Sequence, residues 1–156
     1  MGNLLLLGAG KNRRNGWISV DKLASLKPDV VCDLTMAPWP WADNSVERAE
    51  ADNLVEHIGW GPGSEDLLMV FMNEAHRVIQ PGGVLWVRTP DFKHWPEGAL
   101  KDPTHRRWFV TGSFDYWKAE NMTYKVYGSS YGYKPWNISS IETDRRFLTV
   151  TQTPCK

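Results

Sequence analysis

Apolar residues arrive along this chain in short blocks, each closed by glycine, proline or an acid. Leu4-Leu5-Leu6-Leu7 is a continuous apolar run stopped by Gly8-Ala9-Gly10. Such a run predicts a strand buried on both faces, as in a parallel sheet. Trp17-Ile18-Ser19-Val20-Asp21 predicts a second strand, and Asp29-Val30-Val31-Cys32-Asp33-Leu34 a third, each reaching an acid near its end. A loop rich in Pro and Trp occupies residues 35–44. Residues 45–51 read as a fourth strand, although Glu47, Arg48 and Glu50 interrupt its apolar character, and residues 52–58 as a short helix. Leu67, Leu68, Phe71, Met72, Ala75, Val78 and Ile79 then recur at helical spacing on one face. Ser64 is placed to cap this helix, with Glu65 and Asp66 favouring its first turn, and Pro81-Gly82-Gly83 to stop it. Val84-Leu85-Trp86-Val87 predicts a fifth strand. Residues 91–121 form a long polar and aromatic segment with one helix expected over 113–118. Residues 136–142 and 147–152 close the chain as a strand pair.

Strands alternating with helices imply an α/β sheet. The length of 156 residues fits a single domain over 1–156. Hydrophobic residues make up 42% and charged residues 23% of the chain, so a packed core rather than disorder is expected. Lys plus Arg balance Asp plus Glu at 18 each. A neutral chain lacks the basic footprint that supplies most nucleic-acid affinity, which argues against general nucleic-acid binding. Cys32 and Cys155 are too few for a disulfide framework. No apolar run reaches the length of a membrane span or a signal-peptide core. A cytoplasmic location is the expectation, with no membrane partner.

The glycine turn carries the first chemical signal. Gly8 and Gly10 follow the first strand directly, where glycine lets the backbone turn sharply and a ligand approach closely. Asp21 ends the next strand, eleven residues past Gly10. Its two acceptor oxygens suit the two hydroxyls of a ribose. Asp33, at the end of the third strand, can meet an adenine amino group. Together these describe a nucleoside site; an ordinary tight turn with two solvated acids is the plainer alternative. A dinucleotide site needs a third glycine opening a helix that holds a pyrophosphate. Position 13 is Arg, and residues 11–16 are too few for that helix, so the phosphate cradle is missing.

Read in order, these motifs resemble those of short class I, Rossmann-like, S-adenosylmethionine-dependent methyltransferases of the type 11-like group. The resemblance rests on Leu5-Leu6-Leu7-Gly8-Ala9-Gly10, then Gly16-Trp17-Ile18-Ser19-Val20-Asp21, then Pro28-Asp29-Val30-Val31-Cys32-Asp33-Leu34. It continues through Asp43-Asn44-Ser45-Val46, Leu54-Val55-Glu56-His57-Ile58, Arg77-Val78-Ile79-Gln80-Pro81-Gly82-Gly83 and Asp102-Pro103-Thr104-His105-Arg106-Arg107. It implies a mostly parallel sheet with an antiparallel C-terminal strand and a first crossover helix reduced to a loop. S-adenosyl-L-methionine is the implied cofactor and S-adenosyl-L-homocysteine the implied product. Gly8, Ala9 and Gly10 would contact the amino-acid part of the cofactor. Asp21 would hold the ribose, Asp33 and Leu34 would flank the adenine, and Asp52 or Asn53 would approach the methionine or its methyl group. Asn53 stands where the group often has His, and Glu47 where it has Asp. These departures bear on methyl transfer more than on cofactor binding.

Methyl transfer needs alignment and a dry pocket, and a base only when the acceptor must lose a proton. His105 is the candidate base, flanked by Asp102 and Arg106; His57 reads better as a structural residue closing its helix. No metal-binding spacing is apparent. The acceptor is expected over residues 102–117, with Arg106 and Arg107 for anions and Trp108, Phe109, Tyr116 and Trp117 as flat walls. Aromatics that simply pack the segment onto the sheet are the competing reading. The acceptor itself stays open. With no separate substrate domain, residues 91–135 or a second copy of the chain must recognise it. Two rivals remain: a methyltransferase-fold protein that binds cofactor or a protein partner without methylating, and a lyase or hydrolase that consumes S-adenosylmethionine.

Overall fold

The computed structural model describes residues 2–156. Seven strands form one sheet in the order β3-β2-β1-β4-β5-β7-β6. They are β1 (Asn3–Leu7), β2 (Ile18–Asp21), β3 (Val30–Val31), β4 (Val46–Asp52), β5 (Ile79–Pro90), β6 (Trp136–Thr143) and β7 (Phe147–Pro154). The first five run parallel. β7 returns antiparallel beside β5, and β6 antiparallel beside β7. Strand order reverses at β1, whose neighbours are β2 on one side and β4 on the other. In such sheets the crevice beyond the carboxyl ends at that reversal is where ligands bind.

The predicted alternation of strands and helices holds for only one long helix, α1 (Leu67–Val78). Leu68, Phe71, Met72, Ala75 and Val78 are its buried face. They pack on Leu5, Leu7, Ala49, Ala51, Leu85 and Val87, which point from one side of the sheet and are buried. Residues 105–135 cover the same side. Arg107 bonds Asp66 at 2.6 Å, Tyr133 donates to the other Asp66 oxygen at 2.6 Å, and Asn73 donates to the Gly132 carbonyl at 2.9 Å. The opposite side carries Leu6, Arg48, Glu50, Trp86 and Arg88, all half-exposed. Ion pairs bridge it: Arg14–Glu50 and Arg48–Glu50 at 2.8 Å, Arg88–Asp52 at 2.7 Å. The missing first crossover helix leaves this side open.

Several expected boundaries are corrected. The third strand is two residues long rather than six, because the Asp29 carboxylate accepts from the Ser19 N–H (2.8 Å) and hydroxyl in place of a ladder bond. The helix expected over 52–58 is a single 3₁₀ turn, Val55–His57. Asp52 is still in β4, and Asn53, at φ 51°, turns the chain out of it. Asp66, not Ser64, caps α1: its Oδ1 accepts from the N–H groups of Leu68 and Met69 at 3.0 and 3.2 Å. Ser64 lies in a preceding turn at φ 64°. Pro81-Gly82-Gly83 does not terminate the helix, which ends at Val78 and runs directly into β5; the three residues form an irregularity of β5 where the pairing with β4 slips. The helix expected over 113–118 is a 3₁₀ helix shifted to Thr111–Tyr116, with Trp117 and Lys118 beyond its end. A short helix, α2 (Pro96–Leu100), and a π turn, Tyr124–Gly128, were not foreseen. Among the described residues no helix is long and apolar enough to cross a membrane.

Candidate functional site

The carboxyl ends of β1, β2, β3 and β4 open onto a cavity of about 600 Å³. That is within the range of small-molecule sites. Parallel pairing sets its floor. Leu7 lies level with Val20 on β2 and Ala51 on β4, so Gly8 emerges between Asp21 and Asp52. Gly8 takes φ +61° and Gly10 φ +55°, conformations that L side chains rarely adopt. A Cβ at Gly8 would also fall 2.6 Å from Leu54. The glycine turn is therefore a backbone requirement.

Gly8, Asp21, Asp33, Leu34 and Asn53 all line this cavity. Asp21 also orders the turn: its Oδ2 accepts from the Gly10 N–H and its Oδ1 from the Leu23 N–H, both at 2.9 Å. Each oxygen keeps a lone pair free. Asp33 Oδ1 accepts from the Thr35 N–H at 2.9 Å and hydroxyl at 2.7 Å. Burial raises its pKa, but the Thr35 bonds outweigh this and hold it below the ordinary carboxylate value. Asp33 therefore stays ionised at neutral pH.

Four candidates, Ala9, Gly10, Asp52 and His105, do not line this cavity. Asp52 and Ala9 line a smaller neighbouring hollow on the open side of the sheet, and Asp52 is engaged by Arg88 at 2.7 Å. His105 is tucked behind the cavity wall. Its Nδ1–H donates to the Ala99 carbonyl at 2.7 Å, and its ring meets that of His57 edge-on at 4.8 Å.

A second cavity, of about 700 Å³, lies over the expected acceptor segment. Arg106, Trp108, Phe109, Tyr116 and Trp117 line it, joined by Trp60, Met69, Tyr131 and Tyr133. Arg106 lines both cavities. Arg107 is a clamp: it donates to the Ile58 carbonyl at 2.9 Å, bonds Asp66, and stacks on Trp60 at 4.3 Å. The sequence marked residues 102–117. Tyr131 and Tyr133 gave no periodic signal and reach the cavity through the irregular turn before β6.

Sequence reasoning also missed Glu56. It is 1% exposed, and its Oε2 accepts from the Thr89 hydroxyl at 3.0 Å. Burial pushes its carboxyl up to about 6. The Glu-His pair at 56–57 was visible only as part of a motif, and nothing in it announced that the acid points inward.

No protein-family model and no curated protein sequence matches the chain. Solved structures do. A SAM-dependent methyltransferase from Archaeoglobus fulgidus superposes with a TM-score of 0.63 at 12% identity, over 97% of this chain and 85% of that one. DhpI, solved as a complex with SAM and HEP, gives 0.63 at 13% identity over 98% and 78%. The 1,6-didemethyltoxoflavin-N1-methyltransferase of Burkholderia thailandensis, solved with bound 1,6-didemethyltoxoflavin and S-adenosylhomocysteine, gives 0.59 at 14% identity over 98% and 71%. The chain has the class I methyltransferase fold. Within that Rossmann-like fold it is a reduced version. The crossover from β1 to β2 is a loop with a 3₁₀ turn, Ala24–Leu26, only after β2, and α1 is the sole long helix among the described residues.

Proposed function

We propose that this chain is an S-adenosylmethionine-dependent methyltransferase whose cofactor occupies the cavity at the ends of β1 to β4. The observation that carries the reading is the joint placement of Gly8, Asp21, Asp33 and Asn53 around that one cavity. Asp21 accepts the ribose hydroxyls through its free lone pairs. Asp33 and Leu34 flank the adenine. Gly8 and Gly10 admit the methionine backbone, and Asn53 faces its sulfonium end. No helix N-terminus closes the turn after β1, so the site offers no pyrophosphate cradle; S-adenosylmethionine needs none.

S-adenosylmethionine held there would supply an activated methyl group: the acceptor's lone pair would bond to the methyl carbon as the carbon–sulfur bond breaks, with S-adenosylhomocysteine as the thioether product. The protein's work is alignment and exclusion of water. The aromatic cavity lined by Trp108, Tyr116 and Trp117 supplies the acceptor site, and Arg106, common to both cavities, stands at the junction where methyl and acceptor meet.

Calorimetry with S-adenosylmethionine, S-adenosylhomocysteine, NAD and ATP tests the cofactor: the first two should bind and the last two should not. NAD binding as well or better would overturn the assignment. Mass spectrometry of products then separates the chemistries. S-adenosylhomocysteine with a methylated acceptor supports transfer, methylthioadenosine or adenosine marks a lyase or hydrolase, and unchanged cofactor marks a binding protein.

A further inference from the structure

Behind the wall of the first cavity Glu56, His57 and His105 converge. One carboxylate oxygen and one ring nitrogen from each histidine lie within 4.8 Å of one another. Glu56 Oε1 is buried with no hydrogen-bond partner. A buried carboxylate oxygen is expensive to leave unpaired, so an orphan of this kind calls for a ligand.

The hydrogen bonds around the two histidines fix which ring nitrogens are free. The Ala99 carbonyl can only accept, so His105 Nδ1, 2.7 Å away, carries the hydrogen and Nε2 keeps its lone pair. At His57 the argument takes one step more. The Thr104 hydroxyl gives its single hydrogen to Asp102 Oδ1 at 2.7 Å. Towards His57 Nδ1, at 3.0 Å, it must therefore accept. His57 Nδ1 also carries its hydrogen, and its Nε2 too is left with a lone pair. Each imidazole is thus held by its Nδ1–H, His105 on a carbonyl and His57 on a hydroxyl backed by a carboxylate. That is the supporting pattern of metal-binding histidines, whose second ring nitrogen is oriented in this way.

We propose that Glu56, His57 and His105 form a binding site for a divalent transition-metal ion. Two imidazole nitrogens and one carboxylate oxygen suit Zn²⁺. Glu56 and His105 come from the turn after β4 and from the segment after α2, so an ion would tie that segment to the sheet. His57 is exposed and lines the cofactor cavity. Three protein ligands leave a coordination position for water, as in open zinc sites. Metal binding does not depend on the cofactor assignment, so either can fail alone.

The test is titration of the chelator-stripped chain with Co²⁺, read by visible absorption, followed by Zn²⁺ displacement. One equivalent of Co²⁺ should give ligand-field bands that Zn²⁺ abolishes. Glu56→Gln and His105→Ala should each weaken binding by more than about 10-fold. His76→Ala and His94→Ala should leave it unchanged, because those imidazoles are engaged elsewhere, with the Cys155 carbonyl and with Asp91. If His105→Ala does not fold, His57→Ala, on the exposed ring, gives the same reading. Absence of stoichiometric binding, or equal affinity in wild type and Glu56→Gln, overturns the proposal.

Discussion

Glu74 and Arg77, one turn apart on α1, grip each other twice: Arg77 Nε donates to Glu74 Oε1 at 2.9 Å and Nη2 to Oε2 at 2.7 Å. The pair reaches beyond its own helix. Glu74 Oε2 accepts from the Trp39 N–H at 2.6 Å, while Arg77 donates to the carbonyls of Trp39 and Trp41 at 3.1 and 2.9 Å. The Pro- and Trp-rich loop is thereby fastened to α1, with Trp39 buried edge-on against Phe71 at 5.4 Å.

Glu74→Gln should destabilise the fold by about 2 kcal/mol, the scale of a lost charge-assisted hydrogen bond. A glutamine amide would point a donor at a donor, either Arg77 or Trp39. The Arg77 bonds, against the opposing effect of burial, hold the Glu74 pKa below its ordinary value of 4.5. A depressed acid contributes stability that is present above the unfolded pKa and is lost as pH falls through the folded one. The gap between wild type and Glu74→Gln in urea unfolding should therefore be constant near neutrality and close below about pH 4.5. A gap that widened on acidification would contradict this.

Asp21→Ala should weaken S-adenosylmethionine binding by about 10-fold or more, corresponding to 1.5–3 kcal/mol for hydrogen bonds to a charged group. Because Asp21 also holds the Gly10 and Leu23 N–H groups, the variant should melt lower as well. Calorimetry and a melting curve on the same sample report both. Unaltered affinity in the folded variant would move the cofactor elsewhere.

Gly8→Ala combines a φ of +61° with a Cβ only 2.6 Å from Leu54. Leu54 can swing aside, so the backbone is the larger cost, about 1–2 kcal/mol for a non-glycine residue there. Cofactor affinity should fall with stability. A Gly8→Ala chain that bound the cofactor normally would show that close backbone approach is unnecessary.

Arg106 and Arg107 are adjacent and chemically identical, yet their replacement should diverge. Arg107→Ala removes the bonds to Ile58 and Asp66 and should cost about 2–3 kcal/mol of stability. Arg106→Ala should stay within about 0.5 kcal/mol and instead impair methyl transfer. Thermal melts of the two variants decide it; equal losses would mean that Arg106 too is a clamp.

Much of this was legible in the chain itself. Leu4-Leu5-Leu6-Leu7 with Gly8 and Gly10 marked both β1 and the turn, because a buried parallel strand and a positive φ each demand particular residue types. The lining residues Asp21 and Asp33 followed from their places at expected strand ends, and Leu34 from the family resemblance. What misled was side-chain competition for the backbone. Asp29 took the hydrogen bond that would have lengthened β3, and Asp66 took the cap assigned to Ser64. His105 was marked for its chemistry, but its depth behind His57, and the Glu56 beside it, depend on how residues 91–135 fold back. No local spacing encodes that return.

β4 looked doubtful as a parallel strand because charged residues alternate with alanine and valine. That alternation records a sheet sheltered on one side only, with Arg14, Arg48, Glu50, Asp52 and Arg88 paired in water where other α/β sheets carry a helix layer. Unfolding such a sheet exposes less new apolar surface. Its heat-capacity increment should lie below the usual ~12–15 cal/mol/K per residue. The stability curve should then be flatter, so that folding free energy changes little across a broad span of temperatures.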